Sequence, residues 1–162
     1  MDIEIFYQKD ADKYAQDCAD IFDDNNKGFI VNKQGVFDNK KFNLLVGVVD
    51  NKAVCYQLIY IGGDFVKQEG YPEAYTQGLV YENDAVYIWD ACTLKSYENK
   101  GLQKQLTRFL INKYSDKNLY SMTDTTNLNC VYMQQTLGFK PVATFVGHKK
   151  ETYYILKQDK LN

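Results

Sequence analysis

The stretch YIWDACTLKSYENKGLQKQLTRFLI, residues 87–111, decides the fold. Residues 85–94 (AVYIWDACTL) are apolar, aromatic and β-branched, which predicts a strand. Gly101 follows, and then Leu102, Leu106, Phe109, Leu110 and Lys113 recur at helical spacing. A strand that feeds a turn and then a helix leaves backbone N–H groups unpaired at the helix start. Together with the helix dipole, these groups favour a phosphate or pyrophosphate. Gly101 permits close approach of a ligand to the backbone, and Lys100 and Lys104 add positive charge. Taken alone, such a glycine is more often just the turn into an ordinary helix.

Downstream, NLYSMTDTTNLNCVYMQQTLGF spans residues 118–139. Residues 118–124 predict a strand. Residues 128–137 predict a short helix stopped by Gly138, a C′ glycine. Residues 139–147 and 151–157 are two closing strands joined by Gly147-His148-Lys149-Lys150. Upstream, residues 2–7 alternate as a first strand. Residues 10–23 place Tyr14, Ala15, Cys18, Ala19, Ile21 and Phe22 on one helical stripe. Residues 42–49 and 53–61 are apolar runs separated by Asp50-Asn51-Lys52, a hairpin turn. Gly62-Gly63 ends the second run. Residues 64–84, with Gly70, Pro72 and Gly78, read as an irregular connection or a short helix. The order is β-α-(α)-β-β-β-α-β-α-β-β, with an optional second helix before the hairpin. That order predicts an α/β (α+β) sheet with helices on both faces.

At 162 residues, with 45% hydrophobic and 25% charged residues, the chain reads as one globular domain over 1–162. Only Arg108 is arginine among nineteen Lys and Arg, and the net charge is −2. A nucleic-acid binder carries a basic face with several arginines, so that class is excluded. The start MDIEIFYQKDADKY lacks the basic and apolar regions of a signal peptide. No apolar run approaches a membrane span. Cys18, Cys55, Cys92 and Cys130 contain no Cys-x-x-Cys pair, and His148 is the only histidine, so a zinc site of usual spacing is not available. A reduced, cytoplasmic protein is the expectation.

The two quoted segments carry a resemblance. Thr93-Leu94-Lys95-Ser96-Tyr97, then Lys100-Gly101-Leu102 and an amphipathic helix, resembles the cofactor-binding segment of the GNAT superfamily of acyl-CoA-dependent N-acetyltransferases. Asn127, Cys130-Val131, Met133 and Leu137-Gly138-Phe139 are similar to that family's second signature. The resemblance implies a single GNAT-like domain with a mixed, mostly antiparallel sheet of about seven strands. It implies acetyl-CoA as cosubstrate and a primary amine of a small molecule or peptide as acceptor. It assigns Cys92, Thr93 and Leu94 to pairing with the pantetheine arm. Asn99, Lys100, Gly101, Leu102, Gln103 and Lys104 fall to the pyrophosphate, and Asn127 to a helix cap that also meets the cofactor arm. A homodimer is the family's common state.

The sequence departs from that pattern in three places. Glu98 stands where a neutral or basic residue is usual, and Gln103 where a small one is. Gln134 occupies the position at which many members have a Tyr that protonates the leaving thiolate; an amide can donate a hydrogen bond there but cannot act as an acid. Tyr132 lies about 200° around the helix from it, and Tyr97 is the nearest other tyrosine, set against a packed surface role. For the amine proton, Asp90 is the candidate base or substrate-binding residue, with a structural acceptor as the alternative. Glu82 and Asp84 are either amine-facing or solvated. Cys92 is a packed thiol before it is a nucleophile, and Tyr71, Tyr75, Tyr81 and Tyr87 line a groove or cover the sheet. Residues 20–40 and 62–84 would build the acceptor pocket. The activity implied is acetyl transfer by direct attack; the alternatives are a catalytically weak or inactive ligand-binding module of the same fold, and an unrelated interaction domain.

Overall fold

Apolar residues repeating at two or at three and four positions set the elements of the chain, and the computed structural model describes residues 1–25, 42–62, 73–74, 77 and 82–161. The strands are β1 (Glu4–Tyr7), β2 (Asn43–Val49), β3 (Lys52–Ile61), β4 (Val86–Thr93), β5 (Leu119–Asp124), β6 (Lys140–Val146) and β7 (Thr152–Gln158). The helices are α1 (Ala15–Asn25), α2 (Leu102–Lys113) and α3 (Leu128–Gln135), with 3-10 turns at Gln8–Tyr14 and Lys95–Tyr97. The strands form one seven-stranded sheet in the order β1-β2-β3-β4-β5-β7-β6. All the recorded pairings are antiparallel except β4 with β5. The optional second helix, Gly63, Gly70, Pro72, Gly78, Tyr71, Tyr75 and Tyr81 fall outside the described residues. So does most of the expected acceptor region.

The chain divides into two compact units. The first comprises Met1–Ile59 and Asp90–Phe109. Its hairpin is tighter than the spacing predicts: Val49 pairs with Lys52, so only Asp50 and Asn51 form the turn. Both have positive φ, 49° and 60°, the geometry that matches the twist of two-residue hairpins. Every residue from Ala53 to Ile59 is buried, so β3 is covered on both faces. In α2, Leu102 and Leu106 are buried as predicted, and Thr107 joins them. Phe109 is only half-buried and meets the Tyr7 ring edge-on at 6.0 Å. The predicted helix over 10–23 is a 3-10 turn that leads into α1, and Tyr14, Cys18, Ala19 and Ile21 are its buried side.

The second unit comprises Tyr60–Trp89 and Leu110–Asn162. Its ladder joins Val86–Ile88 of β4 to Leu119–Ser121 of β5. β7 lies between β5 and β6 and pairs antiparallel with both. Leu119, Leu156, Phe139 and Phe145 fill its core. Helix α3 ends as its sequence predicts. Gly138, at φ 90°, donates to Gln135 O at 3.0 Å, and Phe139 N donates to Gln134 O at 3.1 Å. This pair of bonds is a Schellman ending, and it aims Phe139 into the core. Among the described residues no helix is long and apolar enough to cross a membrane.

Because an L side chain at Gly138 must hold a left-handed backbone, we expect Gly138→Ala to lower unfolding stability by about 1–2 kcal/mol. Urea titration of the two proteins checks this.

Candidate functional site

The end of β4 is where the sequence places a cofactor arm, and its backbone is already heavily used. Leu94 N donates to Val54 O at 2.8 Å, and Leu94 O accepts from Tyr97 N at 2.7 Å in the following 3-10 turn. Cys92 O accepts from Gln103 Nε2 at 2.7 Å. Residues alternate along a strand, so Cys92 and Leu94 turn their N–H and C=O groups one way and Thr93 turns the other. Of the three residues assigned to the cofactor arm, Thr93 alone aims its N–H away from β3. Its carbonyl accepts from Asn25 Nδ2 at 3.2 Å, which ties the tip of α1 to β4.

The turn into α2 is open. Gly101 has φ 73°, and an added Cβ would meet nothing within 4 Å. Asn99 is also left-handed, at φ 59°. The helix starts with Gln105 N donating to Gly101 O at 3.2 Å, so the N–H groups of Leu102, Gln103 and Lys104 precede the first intrahelical bonds. Glu98 is exposed, so its carboxylate is screened by water. Lys100 folds back: its ammonium donates to Ser96 O at 2.9 Å and sits 4.7 Å from the centre of the Tyr97 ring. That contact makes Tyr97 a packed, half-buried platform for a lysine. Lys104 is half-buried.

Gln103 requires a correction. Its long side chain does not stand in the way of a ligand; it turns into the protein. Nε2 donates to Cys92 O, to Thr93 Oγ1 at 3.1 Å and to Tyr56 O at 3.2 Å, while Oε1 accepts from Gln57 Nε2 at 3.0 Å. Gln57 also donates to Thr107 Oγ1 at 2.9 Å. One amide thus joins β3, β4 and α2, and only the backbone N–H of Gln103 remains for a cofactor.

Asp90 lies on β4 near the start of this segment. Tyr56 donates its phenol to Asp90 Oδ2 at 2.7 Å. Burial raises the Asp90 carboxyl above the usual carboxylate range, and the bonds from Tyr56 and from the Ala91 N–H work against that rise. Burial and the nearby Asp90 charge push the Cys92 thiol up to about 12, so it is not a ready nucleophile. All four cysteines are free. The sequence indicated that Asp90 needed a partner but not which one; a tyrosine in the middle of a fully buried strand is the signal that could have named it.

In the second unit, Asn127 Oδ1 accepts from Cys130 N at 3.2 Å, which makes it the predicted cap of α3. Gln134 is corrected. It is 4% exposed; Nε2 donates to Ser121 Oγ at 2.7 Å, and Oε1 accepts from Thr123 Oγ1 at 3.4 Å. Its amide is committed to β5 and is not presented to a leaving group. Tyr132, 71% exposed, lies on the other face of α3, as the spacing requires. Glu82 is a structural acceptor for Tyr120 Oη at 2.6 Å, Asn118 Nδ2 at 2.7 Å and Lys157 Nζ at 3.3 Å. Burial favours its neutral form, yet these donors hold the carboxyl below its ordinary value. Asp84 pairs with Lys117 at the surface. Tyr87 is buried and stacks on Tyr120 at 5.2 Å, covering the sheet. His148 is exposed in its turn. Among the described residues no three His, Cys, Asp or Glu side chains converge as a metal site.

No family model matches the sequence, and no curated protein is similar to it. Solved structures are similar along the whole chain. A histone-acetyltransferase-related acetyltransferase from Corynebacterium glutamicum superposes with a TM-score of 0.73 at 14% identity, covering 99% of this chain and 97% of that one. The ribosomal-protein-S18-alanine N-acetyltransferase of Escherichia coli gives 0.69 at 12% identity, covering 98% and 94%. A putative acetyltransferase from Salmonella typhimurium, solved with acetyl-CoA, gives 0.69 at 15%, covering 100% and 95%. The chain has the GNAT fold.

Replacing Gln103 by Ala removes the four hydrogen bonds of its amide, the one to the Cys92 carbonyl among them. We expect a loss of about 1–3 kcal/mol in unfolding free energy, measured by urea titration.

Proposed function

We propose that the protein is an N-acetyltransferase that moves an acetyl group from acetyl-CoA to a primary amine. One observation carries the reading: within a GNAT fold, β4 leads through a 3-10 turn to a left-handed Gly101 that is open where a Cβ would stand, directly before the N-terminus of α2. The residues present fit the cofactor. The N–H groups of Leu102, Gln103 and Lys104 suit a pyrophosphate, with Asn99 and Gly101 shaping the turn and Lys100 and Lys104 adding charge. Bound there, the cofactor would supply an acyl carbon activated as a thioester. Thr93 N–H would hold the pantetheine arm or polarise the acyl carbonyl.

Asp90 would take the proton from the acceptor ammonium. A carboxyl raised by burial is a better base near neutral pH than an ordinary aspartate. A base works only when ionised, so turnover should rise with pH through a midpoint above the usual carboxylate range. With Gln134 committed to β5, the departing thiolate would take its proton from water. That same commitment favours the second reading, a ligand-binding module of this fold with little or no turnover.

Titration calorimetry with acetyl-CoA is the first test. Binding supports the site, and no heat at millimolar cofactor overturns it. We expect Gly101→Glu to remove binding while the protein stays folded by circular dichroism, because it sets a carboxylate at the phosphates in open space. We expect Asp90→Asn to lose most turnover across a panel of amines with the affinity for acetyl-CoA unchanged. Binding without turnover by the unaltered protein would select the module.

A further inference from the structure

We propose that Tyr56 is the positioning residue for Asp90: its phenol holds Oδ2 and so fixes the orientation in which the carboxyl would receive the proton of the acceptor amine. The inference rests on the reading of Asp90 as the base.

Tyr56 sits in the middle of β3, in a run buried on both faces, and has no exposed surface. A tyrosine in such a place needs a partner for its hydroxyl. Asp90 Oδ2, at 2.7 Å, is that partner. The ring cannot swing aside without opening the core, so the carboxyl is held in one orientation. Burial and the Asp90 charge together keep the phenol protonated, so it can donate but cannot take up a proton itself. Cys92, two positions along β4, is a titratable neighbour of the pair and also hydrogen-bonds Tyr56. Beyond it, Cys18 of α1 is close enough to Cys92 for their charges to interact.

The step balances. An N–H bond of the ammonium breaks and an O–H bond forms on Asp90. The freed nitrogen pair makes the C–N bond as the C–S bond of the thioester breaks, and the nitrogen sheds a second proton to water. The thiolate takes one proton back from water, so the thiol leaves neutral, and the proton on Asp90 is the one net proton later released to solvent. Tyr56 gains and loses nothing, and its bond favours the ionised carboxyl against the pull of burial.

The test reads the carboxyl directly. Protein labelled with 13C at the aspartate carboxyls is titrated by NMR, and Asp90→Asn identifies the resonance by removing it. In Tyr56→Phe the ring stays and the donor goes. We expect the Asp90 midpoint to rise by about one pH unit. Site-specific 3,5-difluorotyrosine at position 56 keeps the shape and donates more strongly, so the midpoint should fall. This second variant carries the test if Tyr56→Phe does not fold. A midpoint that stays put in the folded variants, or moves the same way in both, overturns the assignment. The base reading fails separately, if Asp90→Asn keeps full turnover on amines that the unaltered protein acetylates. Where turnover is measured, the alkaline shift should carry into the pH profile of kcat for Tyr56→Phe, whereas a purely structural loss lowers kcat equally at every pH.

Discussion

A strand can offer a ligand only the backbone groups that its neighbours have not taken. At the end of β4 this constraint organises the first unit. Val54 takes the N–H of Leu94, Tyr97 takes its carbonyl, and Gln103 takes the carbonyl of Cys92. Asn25 takes the carbonyl of Thr93. Strand alternation turns the Thr93 N–H to the side opposite that of Leu94. Each capture also fixes an element: β3 against β4, the 3-10 turn against the strand, α2 against both, and the tip of α1 against the far edge. The direction in which α2 starts follows from these bonds, and so does the placement of its first N–H groups. A buried amide with several acceptors is expensive to leave half-satisfied, so the strand end is held in one geometry.

Poverty in arginine reaches the proposed phosphate site. Arg108 is on α2, and the turn before that helix has Glu98 and Lys100 instead. Lys100 is held by Ser96 O and the Tyr97 ring, so its ammonium is a fixed charge beside the turn and not a mobile arm. Recognition of a pyrophosphate would then fall mainly on backbone N–H groups, which need no particular side chain but do need Gly101 and Asn99 in left-handed conformations. A backbone site tolerates drift in the surrounding side chains. This fits a chain that keeps the GNAT fold at 12–17% identity to its structural neighbours.

Much of the fold is legible in the sequence because its signals are local. Asp50-Asn51 makes a hairpin, Gly138 ends a helix, Asn127 begins one, and the apolar repeats of β2, β3 and α2 need only spacing to be read. The failures at the site share one cause. Spacing places a side chain on a face but does not name what it meets. Gln103 looks like an obstruction until Cys92 O, Tyr56 O and Thr93 Oγ1 draw its amide inward. Gln134 looks like a replacement donor until Ser121 and Thr123 claim it. Glu82 looks free to greet an amine, yet Tyr120, Asn118 and Lys157 arrive from segments more than thirty residues away. Each of these contacts is made in the fold, between residues distant in sequence.

The two ends of an acyl transfer to an amine make unequal demands on a protein. A thiol has a pKa near 8.5, so its thiolate can leave and find a proton in water; an alkylammonium near 10.4 holds its proton firmly at neutral pH and cannot attack until it is lost. Under the proposed acetyl transfer, an amide in place of an acid at position 134 would forfeit little, whereas the lack of a base would forfeit the nucleophile. The position on α3 has gone to packing against β5. The carboxyl on β4 is raised by burial, bonded by a protonated phenol and fixed on a strand whose backbone is captured on the β3 side. Burial raises that carboxyl above the usual carboxylate range. The bonds from the Tyr56 phenol and from the Ala91 N–H work against that rise.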